Sequence, residues 1–304
     1  MSFAGEVKKE ILSGSPTAIS RLRAQAYGML LFGRNFGTSS ISLQTENKAV
    51  ADLYVQNLFD LVELHSGVTT IYHSKKQGGI FVVSVDDEDD RNRILEAFGH
   101  TSDEINLRIH RELLSEDDIP FFLRGVYLVC GNITDPTKSY HAEFVVSYKK
   151  LCEDLLLLMQ ENGSHPKYAQ RRGAHLLYYK ESEQIEDLLT MMGATQCSLE
   201  LMNIKIYKDV RNKVNRVTNC ETANIEKTVA ASASQVEDIL LIWERRGKDS
   251  LPDDLKELAA LRVENPEMSL RELGEALHEP ITRSGVNHRL KRLSRMAQDL
   301  RGEG

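Results

Sequence analysis

The sequence predicts an α+β domain of two tandem units with pseudo-two-fold symmetry, followed by an all-α domain. Three observations carry this reading. One αβαββα-like pattern of apolar periodicity occurs twice in about the first 200 residues. A glycine stands at the matching point of the first helix in each copy, Gly28 and Gly125, about 97 residues apart. Beyond residue 200 the strand signals stop, and the chain ends in short helices, the last of them rich in bases.

Element by element, the chain opens with "MSFAGEVKKEILSG", where Phe3, Val7 and Ile11 recur every four residues and predict a short amphipathic helix. "RLRAQAYGMLLFGRNFG" (21–37) and "PFFLRGVYLVCGNITDP" (120–136) are apolar helices ending in a Gly/Asn turn. A short strand follows each, "SSISLQT" and "HAEFVVS", then a helix, "KAVADLYVQNLFDLVEL" and "YKKLCEDLLLLMQEN". Each unit closes with a hairpin and a helix. These are "TTIYHS", "GGIFVVSV" and "DDRNRILEAFG" in the first, and "PKYAQRR", "AHLLYYK" and "SEQIEDLLTMMG" in the second. The β-branched and aromatic residues of the strands, with Gly78-Gly79 and Gly173 between them, fit hairpin turns. A glycine inside a helix costs about 1 kcal/mol against alanine. Two at matching positions therefore point to helices that cross with their backbones nearly touching, on the pseudo-two-fold axis.

After residue 200, "NIKIYKDVRNKVNRVTNCETANIEKT" reads as a basic strand or helix passing into a polar, cap-rich stretch. A linker helix is expected next, with Ile225, Val229, Val236, Ile239, Leu240 and Trp243 on one face, ending near Gly247. "SLPDDLKELAALRVENP" is another helix, with Pro252 near its first turn and Pro266 beyond its end. The expected domains are residues 1–218 (opening helix and repeats at about 19–110 and 118–208), a linker helix at 219–248, and a helical domain at 249–304.

Ser269-Leu-Arg-Glu272 is a capping-box pattern opening a helix with Leu270, Leu273 and Leu277 on one face; Gly274 leaves room for a close neighbour. Pro280 ends it. Thr282 or Ser284 can cap the next helix, where Val286, Leu290, Leu293 and Ala297 form one stripe. The opposite face holds Ser284, His288, Lys291, Arg292 and Arg295, flanked by Asn287 and Arg289, with Thr282 and Arg283 at the start, and all nine are expected to contact DNA. From Ile281 to Gln298 there is no Asp or Glu, in a chain of formal charge −7. Two short helices joined by a tight turn, the second striped on one side and basic on the other, predict a helix-turn-helix from Ser269 to Gly302. Lys and Arg would contact phosphates, while Asn, Ser, His and Arg near the helix start reach base edges. Helix C-termini attract bases anyway, which could account for Arg292 and Arg295. It does not account for the acid-free run.

Composition bounds the function. At 304 residues the chain can bury two cores. Residues 1–218 carry 25 bases and 29 acids, and residues 219–304 carry 13 and 16, so any polyanion contact must come from a local patch rather than bulk charge. The longest apolar run, "LLLLM", is too short to span a bilayer, and the start lacks a signal-type apolar run. Cys130, Cys152, Cys197 and Cys220 form no C-x-x-C pair, which predicts buried, reduced thiols and a cytoplasmic protein.

"NRVTNCETANIEKT" and "LRELGEALHEPITRSGVNHRLKRL", after a doubled glycine-centred repeat and behind the opening "MSFAGEVKKEI", strongly resemble the WhiA family of bacterial sporulation and cell-division regulators. The resemblance covers essentially the whole chain. It implies a first domain like the LAGLIDADG homing endonucleases, a linker, and a C-terminal helix-turn-helix resembling sigma-factor region 4. It implies double-stranded DNA as partner, with other transcription or division proteins beside it, no membrane, no cofactor, and a nucleoid-associated protein acting in division, chromosome segregation or sporulation. Active LAGLIDADG enzymes end each repeat helix with an acid that holds Mg²⁺. Aligned through Gly28 and Gly125, this chain has Gly33 and Cys130 at those places, and neither suits a hard cation. Asp135 lies nearby in the second unit, but the first has only Arg34 and Asn35, so no catalytic or metal residue is assigned.

Other motifs weigh less. "DDEDD" (86–90) is expected to be a solvated helix start, which attracts acids. The His residues form no H-x-x-x-H or H-E-x-x-H pair, and no P-loop spacing occurs. Lys205, Lys208, Arg211, Lys213 and Arg216 could hold phosphates or form a solvated edge. The leading expectation is a non-catalytic, sequence-specific DNA-binding regulator. The alternatives are a metal-dependent homing-type endonuclease, and an interaction scaffold acting through the nuclease-like domain.

Overall fold

A computed structural model describes residues 2–14, 16–74, 78–101 and 106–302. The chain divides into two compact units, Met1–Lys208 and Asp209–Gly304.

The first unit opens with α1 (Phe3–Ser13), whose Phe3, Val7 and Ile11 are buried as their spacing predicts. Two copies of one motif follow. In the first, α2 (Ile19–Leu31) leads into β1 (Asn35–Gly37), β2 (Ser40–Thr45), α3 (Lys48–Leu61), β3 (Val68–Ser74), β4 (Gly79–Val85) and α4 (Glu88–Ala97). In the second, α5 (Ile119–Cys130) leads into β5 (Gly131–Ile133), β6 (Ala142–Val146), α6 (Lys149–Glu161), β7 (Lys167–Arg171), β8 (Ala174–Tyr179) and α7 (Ser182–Met191). Each copy makes an antiparallel four-stranded sheet, in the order β1-β2-β4-β3 and β5-β6-β8-β7. The repeated strand order expresses the pseudo-symmetry read from the sequence. The motif has one strand more than expected, because β1 and β5 span only three residues each and read as turns. The β7–β8 hairpin turns through Arg172 and Gly173, both at positive φ (52° and 82°), which is the backbone a two-residue type I′ turn requires. The expected turn before β4 includes residues 75–77, which lie outside the described residues.

The two halves meet where α2 crosses α5. A Cβ added to Gly125 would lie 2.0 Å from the Gln25 carbonyl oxygen, and one on Gly28 would lie 2.3 Å from that of Phe122. Only glycine permits that approach. Tyr27, Met29, Leu123, Val126 and Phe144 continue the core around the crossing. The buried Arg124 guanidinium donates to the Ile11 and Gly14 carbonyls at the end of α1 (2.7 and 2.6 Å). Glu10 of α1 accepts from the Gln196 and Cys197 amides, 2.7 and 3.0 Å away, capping the next helix.

That helix, α8, corrects the expected linker. It runs from Thr195 to Arg246, 52 residues without a break, so no separate linker helix starts at 219 and no strand or cap-rich interruption precedes it. The reason is compositional. No Gly or Pro occurs between Thr195 and Arg246, and Asn, Thr and Ser inside a helix cost only a few tenths of a kcal/mol each, roughly, relative to the better formers. Its expected apolar face also divides. Ile239 and Ile242 are buried, whereas Ile225, Val229 and Leu240 are largely exposed.

In the second unit, α9 (Asp253–Glu264), α10 (Leu270–Ala276) and α11 (Arg283–Gly302) pack with the end of α8 around their own core. Ile239, Ile242, Leu255, Leu258, Leu273, Val286, Leu290 and Leu293 fill it. Among the described residues, no helix is long and apolar enough to cross a membrane.

Candidate nucleic-acid interface

The sequence places α10 and α11 by short-range signals. Ser269 accepts from the Glu272 amide at 3.3 Å, and Glu272 returns a bond from the Ser269 amide at 2.7 Å, completing the capping box. Gly274 then meets the turn. A Cβ there would be 2.4 Å from the Ile281 carbonyl, whose residue donates its amide to the Gly274 carbonyl at 3.1 Å. Thr282 caps α11 by accepting from the Gly285 amide at 3.3 Å. Thus Thr282, expected among the DNA contacts, is also the structural cap.

The stripe Val286, Leu290, Leu293 and Ala297 is buried against α9 and α10. That rotation presents Arg283, Ser284, Asn287, His288, Lys291 and Arg295 to solvent. Arg289 is half-buried at the margin. Arg292 departs from expectation: its guanidinium donates to Asp254 of α9 at 2.6 Å, and both side chains are only about two-fifths exposed. At the far end Arg301 pairs with the buried Asp238 of α8 at 2.8 Å. These two pairs fasten α11 within the unit, so its bases are not interchangeable.

Beside the N-terminal end of α11 lies a cavity of about 420 Å³. Lys227 of α8, Arg262 of α9, Arg271 of α10 and Arg283 of α11 all line it, with Ala231, Met268 and Leu270 as apolar wall. Sequence reasoning found Arg283 alone. The others come from separate helices, and Arg262 reads locally as one more surface base although it is 2% exposed.

The helix ends that would bear catalytic acids in a nuclease carry no carboxylate. A Cβ on Gly33 would sit 3.1 Å from the Ser42 carbonyl oxygen. Burial pushes the Cys130 thiol up to about 12, against which Lys8 acts only in part. Asp135 is turned into its own loop, accepting from the Thr137 amide and hydroxyl at 2.9 and 2.6 Å. Among the described residues, no group of three or more His, Cys, Asp or Glu is placed to hold a metal ion.

Three further expectations change in part. The "DDEDD" start does cap α4, through Asp87, but Asp90 is buried and accepts from the His65 and Ser66 amides at 2.8 and 2.7 Å. Of the bases early in α8, Lys205 is bound to Glu183, and Lys208 donates to the Pro136 carbonyl at 2.6 Å. Arg211, Lys213 and Arg216 are exposed. Cys152 and Cys197 are buried as expected, but Cys130 is half-buried and Cys220 is exposed on α8.

Comparison with known proteins agrees with this division. Residues 214–297 match the family profile described as the WhiA C-terminal HTH domain, and residues 119–211 match the WhiA LAGLIDADG-like domain, the second of the two repeats. A protein of Clostridium tetani named "Probable cell division protein WhiA" is 37% identical, over all of this chain and 99% of that relative. One of the same name from Clostridium perfringens (strain 13 / Type A) is 39% identical over 99% of both. Among solved structures, full-length DUF199/WhiA from Thermatoga maritima shares the fold, with a TM-score of 0.59 at 23% identity over 98% of this chain and 99% of that one.

Proposed function

The chain belongs to the WhiA family, and from that premise we propose that it is a non-catalytic, DNA-binding regulator of cell division, reading duplex DNA through α11. The observation that carries the reading is the outward face of α11. Its buried stripe fixes the helix rotation, and that rotation turns Ser284, Asn287, His288, Lys291 and Arg295 outward with no acid between Ile281 and Gln298.

In this reading Asn287, with Ser284 and His288, meets base edges in the major groove, while Lys291 and Arg295 hold phosphates further along. Thr282, Arg283 and Arg289 stand at the margins of the contact. The LAGLIDADG-like unit supplies no hydrolysis. The missing carboxylates at Gly33 and Cys130 support that, because two-metal phosphodiester cleavage needs oxygen ligands at both helix ends. The protein works in the cytoplasm at the nucleoid, in division and, as the sequence resemblance adds, in chromosome segregation or sporulation.

The test is equilibrium binding of the full-length protein to duplex DNA across a salt series, paired with crosslinking across the genome and motif discovery. A log–log slope of about −0.9 per phosphate contacted, with one recurrent motif in the crosslinked sites, is expected. Absence of binding at low salt would sink the reading.

A further inference from the structure

We propose that the cavity between α8, α9, α10 and α11 is a phosphate-binding site, taking a nucleotide phosphate presented by duplex DNA or by a free nucleotide. The DNA arm rests on the function proposed above, and the free-nucleotide arm does not.

Arg262 of α9 lies at the centre of this site. It is 2% exposed, yet its partners are all neutral oxygens: the Ser232 hydroxyl at 3.2 Å and the Pro266 and Met268 carbonyls at 3.1 and 2.8 Å. Its Nε has no hydrogen-bond partner. Desolvation lowers its pKa, and only Glu267 acts in the opposite direction. A guanidinium stays charged in proteins. A buried charge without a counter-charge is costly unless something supplies one. Among the described residues, no carboxylate forms an ion pair with Arg262.

Three more cations line the same space. Arg271 is held by Glu275 at 2.8 Å, whereas Lys227 and Arg283 form no ion pair among the described residues. Four bases from four helices therefore face one cavity, and among the described residues no acid lines it. Ser269 also lines it, but its hydroxyl and amide are spent on the Glu272 capping box. Among the described residues lining it, the buried donor without a partner is thus a guanidinium nitrogen, whose planar fork matches phosphate oxygens, and the buried Gln235 Oε1 is an acceptor left without a partner beside it. The volume of about 420 Å³ exceeds what one phosphate needs, and the wall of Ala231, Met268 and Leu270 suits an attached sugar or base.

The experiment uses full-length protein and the variants Lys227→Gln and Arg262→Gln. Thermal unfolding is followed with inorganic pyrophosphate or 5′-AMP against potassium chloride at matched ionic strength. In parallel, binding to short duplex DNA is measured across a salt series. If the source is a free nucleotide, pyrophosphate or 5′-AMP raises Tm of the wild type and K227Q abolishes the rise. If the source is DNA, small anions leave Tm unchanged, while K227Q flattens the salt slope by about one unit. Lys227 is exposed on α8 and supports no other element, so K227Q keeps the test valid should R262Q fail to fold. A K227-dependent rise in Tm without any DNA binding would uphold the site and refute the DNA-binding function. If K227Q changes neither the anion response nor the salt slope, the site does not exist.

Discussion

Arg292 of α11 donates to Asp254 of α9 at 2.6 Å, so one base of the acid-free helix is already neutralised inside its own domain. The pair is about two-fifths exposed, and such pairs contribute roughly 0.2–1 kcal/mol at most. Its larger consequence is for DNA. A guanidinium held by a carboxylate releases fewer counterions on meeting a phosphate than a free one. Arg292→Ala is therefore expected to flatten the salt slope clearly less than Arg295→Ala. Asp254→Asn should steepen the slope and raise affinity at low salt. Equal slopes for R292A and R295A, with D254N indistinguishable from wild type, would show that the pair opens freely on binding.

Gly125 is predicted to tolerate no side chain. A Cβ there meets the Gln25 carbonyl at 2.0 Å and the Met29 amide at 3.0 Å, both backbone atoms that cannot rotate away. Overpacking commonly costs about 1–3 kcal/mol, and a clash with helix backbone should reach or pass the top of that range. Gly125→Ala should lower Tm of the first unit sharply or prevent folding. Gly285→Ala is the control, since the atoms nearest its Cβ would be Ile281 side-chain atoms at 3.4 to 3.6 Å, ordinary van der Waals contact. Denaturation curves of the two variants decide the matter; similar losses would refute the crossing-point argument.

Much of this architecture was legible because it is local or repeated. Val286, Leu290, Leu293 and Ala297 declare their face by spacing alone, and Ser269 with Glu272 declares a helix start within four residues. Gly28 and Gly125 became legible only by comparison with each other. What escaped is non-local or ambiguous. Nothing near Arg292 in sequence announces Asp254, thirty-eight positions away. Arg262 looks like a solvated base, and its burial depends on α8 and the α9–α10 turn closing over it. The Thr, Asn and Cys residues around 218–224 favour caps and helix interiors almost alike, so continuity of α8 could not be read there. β1 and β5 are too short to show a period-two pattern.

The thiols should separate cleanly. Burial pushes Cys130 and Cys197 up to about 12 and Cys152 up to about 11, so none is a thiolate near neutral pH. Cys220 is exposed on α8. A thiol-specific reagent at neutral pH should modify one cysteine quickly in the native protein and the other three only on unfolding. Cys220→Ser should remove the fast phase. A second fast thiol would mean that one of those three sites opens readily.

No cleavage of duplex DNA is expected with Mg²⁺ or Mn²⁺. Gly33 and Cys130 offer no carboxylate, and Asp135 spends its oxygen on Thr137. Plasmid nicking assayed on rigorously purified protein is the measurement. Nicking that persists through purification and disappears in Asp135→Asn would overturn the expectation.

The last prediction separates reading from holding along α11. Asn287 is exposed one turn into the helix, flanked by Ser284 and His288, where a docked recognition helix meets base edges. Lys291 and Arg295 are exposed further along, beside the phosphate backbone in that pose. Asn287→Ala should lower affinity for the preferred site by about 1–3 kcal/mol and leave nonspecific binding unchanged. Lys291→Ala should weaken both kinds of binding and flatten the salt slope by about one unit. Neither residue touches the Val286–Leu290–Leu293–Ala297 stripe that seats the helix, so both variants should keep the wild-type circular dichroism spectrum. Arg292 is unsuitable for this comparison because its pair with Asp254 mixes stability with binding. If N287A and K291A lost specific and nonspecific affinity in the same proportion, α11 would hold DNA without reading it, and sequence recognition would have to come from elsewhere in the chain.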